Sequence, residues 1–170
     1  MALIIECVAP SLATSAPPAL RTSVQVKDSQ FEPSTEFSGI QRRHPGNPHN
    51  YYYLRSWVDK TSGKITHQFF VFDVYISPDW LSWGWANSED AQPLEFDSMY
   101  RHIAGCFSNA DCARVEVFGA YIPDTMLKVH QDGFSVKFYA KMGKEIVITL
   151  TSQQIQQQLK AIGDFQASKK

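Results

Sequence analysis

The side chains able to do chemistry are few and widely spaced. Five histidines stand at positions 44, 49, 67, 102 and 130, and no two of them form a His-x-x-x-His pair. His44 and His49 share a polar loop and have the right type for a metal. Loop solvation is the expected role for both, and no metal site is expected. A nucleophile on a strand-turn-helix elbow would need Gly-x-Ser-x-Gly, which is absent. Cys106 lies four residues after His102, the types of a thiol-imidazole pair. Cys112, six positions on, is the expected partner of Cys106 in place of a base. Asp73 is a carboxylate inside an apolar strand pattern. His67, His102 and Asp73 are thus the polar residues from which a small hydrolase-like site would have to be assembled. The nine glycines occur singly, so no phosphate-cradling loop and no nucleotide cofactor are expected.

Cys106 and Cys112 enclose a polar, turn-like stretch and are expected to form a disulfide. Their spacing is too wide for a zinc knuckle, and closing so short a loop contributes about 2 kcal/mol. A disulfide implies an oxidising compartment, periplasmic or secreted. Two buried thiols in a cytoplasmic protein is the alternative, and Cys7 is the odd cysteine.

The best binding candidates are Trp80, Trp83 and Trp85, three indoles within six positions. Exposed aromatic groups of this kind receive sugar rings, lipids or partner proteins. Core packing competes for the same residues. Trp83 and Trp85 share a strand face if the segment is extended.

The elements that would hold these groups are mainly strands. Tyr51–Asp59 and Ile65–Ser77 are aromatic and β-branched runs flanking a polar turn that contains glycine, a hairpin signal. Phe134–Leu150 is a second hairpin turning at Met142-Gly143. There Phe134, Val136, Phe138 and Ala140 alternate with Ser135, Lys137, Tyr139 and Lys141. Residues 22–27, 31–40 and 113–122 add extended pieces, and 94–103 fits a strand or a short helix. The loop at 41–50, with two prolines, disfavours a strand. Asp124 is placed to cap a short helix over 125–131. Thr151 with Gln154 forms a capping box opening a C-terminal helix, with Ile155, Leu159 and Ile162 as its apolar stripe and Gly163 as its stop. Burying that stripe contributes roughly 5–8 kcal/mol before entropy costs. The helix is expected to cover the side of the last strand that carries Val147.

The fold class expected is α+β: a mainly antiparallel sheet built from hairpins, packed against the C-terminal helix and one short helix. Residues 1–20, rich in Ala, Ser, Thr and Pro, read as a tail, 21–165 as one domain and 166–170 as a second tail. With 170 residues, 44% apolar, the chain suffices for one core. A net charge of -1 gives no basic surface for a phosphate backbone, so nucleic acid is not an expected partner. No stretch has the apolar length of a membrane span. The first residues, with Glu6 before Cys7, match neither a basic secretory leader nor a lipid-attachment box.

The run Tyr53-Leu54-Arg55-Ser56-Trp57-Val58-Asp59-Lys60 continues in Thr66-His67-Gln68, Tyr75, Trp80, Ala86, the Cys106 and Cys112 pair and Gly133-Phe134 with Val136-Lys137. It resembles a family of small uncharacterised exported bacterial proteins. The resemblance implies export to the periplasm or envelope and transfers no catalytic residue. The reading reached is a non-enzymatic binding or structural module with a protein, glycan or lipid partner and no cofactor. A small hydrolase-like enzyme and a cytosolic protein are the alternatives.

Overall fold

The computed structural model describes residues 17–44, 47–106 and 111–169. The strands are β1 (Gln25–Lys27), β2 (Ser34–Ser38), β3 (Arg42–Arg43), β4 (Tyr51–Asp59), β5 (Ile65–Ser77), β6 (Trp83–Ser88), β7 (Pro93–Leu94), β8 (Phe96–Cys106), β9 (Cys112–Ile122), β10 (Gly133–Ala140) and β11 (Glu145–Thr151). A short helix α1 (Asp124–Val129) precedes β10, and α2 (Ser152–Ser168) ends the described chain. All strand pairs are antiparallel, so the class is α+β.

Two sheets result. The larger runs β1-β2-β4-β5-β9-β8, with β3 added beside β4; the smaller runs β11-β10-β6-β7. Alternation explains their packing. Leu54, Phe69, Val71, Phe118 and Ala120 line one face of the large sheet and meet Phe134, Val136, Phe138, Ile148 and Leu150 of the small one. Helix α2 covers the remaining end of that face, where Ile162 joins Phe37 and Val58. The second layer is therefore half sheet and half helix. The other face of the large sheet holds its own cluster, in which Tyr53 and Phe70, their ring centroids 4.6 Å apart, join Val115 and Val117.

The expected hairpins form. β4 and β5 pair from Tyr51 opposite Phe72 to Val58 opposite Ile65, and β10 pairs β11 along its length. Residues 96–106 form a strand. The loop at 41–50 nevertheless contributes β3, because Arg42 and Arg43 precede its prolines and reach Tyr52 and Tyr51. Asp124 does not cap α1. It is the first helical residue, behind Pro123, and its carboxylate is used elsewhere.

The capping box is present: Thr151 accepts from the Gln154 N–H while the Gln154 side chain accepts from the Thr151 N–H. The helix passes through Gly163, whose penalty of about 1 kcal/mol is small, and Phe165 beyond it packs edge-on against Phe37 at 5.5 Å. The expected tail at 166–170 thus begins inside α2. Val147 is 59% exposed, because α2 packs on the large sheet and leaves the outer face of β11 open.

Candidate functional site

Ser56 and His67 lie directly opposite one another on β4 and β5. Ser56 Oγ is 2.7 Å from His67 Nδ1, and His67 Nε2 is 3.2 Å from Asp124 Oδ1. These are the residue types of a serine hydrolase, and the hydrogen bonds say what the line does. Gln158 Nε2 donates to Ser56 Oγ at 2.9 Å and to the Phe37 carbonyl at 2.9 Å. The Ser56 hydroxyl proton then points to Nδ1, and Nε2–H donates to Asp124. That pattern describes a neutral imidazole, and burial holds the His67 pKa below its ordinary value despite the Asp124 carboxylate. Lys128 Nζ closes the line at 2.6 Å from Asp124 Oδ2. Ser56 is wholly buried, so no substrate carbonyl can reach its Oγ. The line fastens α2, β4, β5 and α1 together. Gly39 makes room for it: a Cβ there would stand 2.8 Å from Gln158 Oε1 and 2.5 Å from the Leu54 carbonyl.

Asp73 and Glu116 face each other across β5 and β9, and both are buried. Asp73 accepts from Trp83 Nε1 at 3.0 Å and from Asn50 Nδ2 at 2.6 Å. Burial pushes its carboxyl pKa up. Glu116 accepts from the Tyr75 hydroxyl and from the backbone N–H groups of Ser82 and Trp83, at 3.0 and 3.3 Å. Burial, reinforced by Glu116, raises the Tyr75 phenol pKa, so it remains a donor. The two carboxyl groups anchor the segment from β5 to β6. His102 is exposed on β8, stacked on Tyr100 at 5.8 Å and opposite Val115 of the outer cluster. The structure therefore does not bring His67, Asp73 and His102 together. Among the described residues no group of three or more His, Cys, Asp or Glu side chains is arranged to hold a metal.

The three tryptophans go to three places. Trp80 is half-buried between the guanidinium groups of Arg114 and Arg101, 4.9 and 5.2 Å from its ring. Trp83 is in the core, stacked on Phe118 at 5.1 Å. Trp85 is 46% exposed. Trp85 pairs with Tyr139 and Trp83 with Ala140, so Gly84 is an extra residue in the ladder. That bulge turns Trp83 and Trp85 to opposite faces, in place of the shared face that an unbroken strand would give.

On the open face of the small sheet, Trp85 stacks on Tyr139 with ring centroids 5.7 Å apart and planes 11° apart. Lys137 Nζ lies 5.0 Å from the Tyr139 ring and 2.6 Å from Glu145. A recess of 290 Å³ adjoins the pair, lined by Asn87, Glu89, Ser135, Lys137, Tyr139 and Val147. Parallel rings beside amide, hydroxyl and charged groups can receive a sugar, whose C–H face stacks and whose hydroxyls pair. Tyr139 was legible as a tyrosine in the polar half of an alternating strand. Ser56, Asp124 and Gln158 had a weaker signal: glutamines 154 and 158 interrupt the buried side of the helix stripe.

Cys106 and Cys112 are cross-strand partners on β8 and β9 and form a disulfide; residues 107–110 of the intervening loop, like residues 1–16 of the 1–20 segment, Cys7 among them, lie outside the described residues. No helix among the described residues is long and apolar enough to cross a membrane. No family model, curated protein or solved structure matches the chain. The functional reading therefore rests on geometry.

Proposed function

We propose that this chain is a non-enzymatic binding module of an oxidising compartment, the bacterial periplasm or envelope, and that Trp85 with Tyr139 is its contact to a glycan. The observation that carries the reading is an exposed indole stacked on a tyrosine beside a polar recess, on a sheet face that nothing in the described chain covers. The Cys106–Cys112 disulfide supports the compartment. The apolar area of the stacked pair supplies affinity, and Asn87, Lys137 and Ser135 supply the hydrogen bonds that select hydroxyl patterns.

The test is retention of the full chain on insoluble polysaccharides, peptidoglycan among them, followed by tryptophan fluorescence titration with soluble fragments. Trp85→Ala and Tyr139→Ala are each expected to abolish retention while leaving the dichroism spectrum unchanged. Retention of Trp85→Ala equal to the parent, or no polysaccharide retained by the parent, overturns the glycan contact. Thiol counting on unreduced, denatured protein isolated from its host tests the compartment: one reactive thiol is expected, and three overturn it.

A further inference from the structure

A second cleft, on the other side of Trp83 from the glycan surface, has cations without carboxylate partners. It lies where β6 approaches β8, encloses 540 Å³, and is lined by Ser82, Phe96, Ser98, Tyr100, Arg101 and Lys141, with Trp83 and Glu116 at its floor. Arg101 stands directly opposite Glu116 across β8 and β9, yet the two form no ion pair. Both oxygens of Glu116 are already engaged by Tyr75, Ser82 and Trp83. Among the described residues, the Arg101 guanidinium has only the Trp80 ring as a partner, and Lys141 Nζ has no carboxylate. Arg114 adds a third positive charge behind Trp80, its guanidinium held by the Ser77 and Pro78 carbonyls.

The cleft is built, not incidental. Ser82 has φ 57°, a left-handed conformation rarely adopted by residues other than glycine. Two bonds hold it there: its N–H donates to Glu116, and its carbonyl accepts from the Lys141 N–H at 3.0 Å. Strain of this kind persists where the surroundings over-determine it. Its consequence is to fix a serine hydroxyl and the Lys141 backbone at one wall while β8 carries Arg101 on the other.

We propose that this cleft binds a small organic carboxylate, with the carboxylate between Arg101 and Lys141 and a ring-sized body against Phe96 and Trp83. A guanidinium fork with free N–H groups matches a carboxylate in two parallel hydrogen bonds, and the ammonium adds a point charge. Ser82 and Ser98 offer hydroxyls to a polar edge of that body. Two cations in the lining, Arg101 and Lys141, beside one fully engaged carboxylate make the cleft attractive to an anion and poor for a cation.

The experiment is calorimetric titration of the full chain with benzoate and glucuronate, with glucose and inorganic phosphate as controls, at low ionic strength. Trp80 fluorescence is a second readout, since Arg101 stacks on that ring. At least one of the two carboxylates is expected to bind, with no heat from glucose. Arg101→Met and Lys141→Met are each expected to weaken it by about tenfold or more, the loss of a charged hydrogen bond. Ser98→Trp, which fills the cleft and leaves both cations in place, is expected to abolish binding, and Trp85→Ala is expected to leave it unchanged. The proposal is overturned if neither carboxylate binds, if the Arg101→Met, Lys141→Met double variant binds as the parent does, or if phosphate binds as tightly as the carboxylates.

Discussion

The Ser56–His67–Asp124 line and the Arg101–Lys141 cleft invert one another. The first has the residue types of a catalytic machine, with Ser56, His67 and Asp124 each paired and no opening to its hydroxyl. The second has undistinguished residue types, with two cations left unpaired beside an opening. Residue identity does not make a site; unspent hydrogen-bonding capacity at a place that solvent can reach does. In the line, each proton already has an acceptor, so its free energy goes into holding four elements together. In the cleft, Glu116 spends its oxygens on the backbone and leaves Arg101 opposite it without a countercharge.

The contrast can be broken by substitution. His67→Ala should be the most damaging change, costing roughly 2–4 kcal/mol, because it leaves a cavity and strands Ser56. Urea denaturation measures it, and a midpoint equal to the parent's would mean that the line does not hold the fold. Reduction of Cys106–Cys112 should follow at about 2 kcal/mol, the chain-entropy value for so short a loop. It should loosen β8, the cleft wall, and leave the amides around His67 protected; hydrogen exchange in reduced and oxidised protein separates the two regions.

Acid sharpens the comparison further. The folded-state pKa of His67 lies below the ordinary 6.5, so as pH falls past that value the unfolded chain takes up its proton first. The contribution of His67 is complete above about 6.5 and is lost progressively as pH drops toward its folded pKa. Asp73, whose pKa burial raises, acts in the opposite sense: the folded state takes its proton first, so stability is recovered as pH falls through the raised value. Subtracting the pH profile of His67→Gln from that of the parent isolates the His67 part. A difference that is flat between pH 7 and pH 5 would contradict a neutral buried ring.

Two changes should be mild. Trp85→Ala removes an exposed stack worth about 0.5–1.5 kcal/mol, so its thermal midpoint should shift little while glycan retention is lost. Arg101→Met should move stability by no more than about 0.5 kcal/mol, since no buried partner depends on its charge. A large destabilisation would show that Arg101 is a structural residue and place it with the His67 line.

Much of the frame was legible along the chain. The β4–β5 and β10–β11 hairpins follow from alternation around polar turns, and the start of α2 follows from Thr151 and Gln154. The disulfide partners were nearest neighbours in sequence and became cross-strand neighbours in space. The end of α2 was not legible, because Phe165 finds Phe37 across the core and carries the helix past Gly163. Nor was the direction of α2, which leaves Val147 exposed. The tryptophan cluster illustrates the limit best. Its composition marked residues 80–85 as notable, but one extra residue in the β6–β10 ladder decided which ring is buried and which is exposed.

The order of residues alone determined the two long hairpins, the cap of α2 and the α+β class, because periodicity and capping act over a few positions. Only the tertiary structure decided that Ser56, His67, Asp124 and Gln158 form one closed line, that Trp85 meets Tyr139, and that Arg101 faces an occupied carboxylate. Those pairings depend on register and layer packing between segments far apart in the chain, where a single bulge changes which side chains meet.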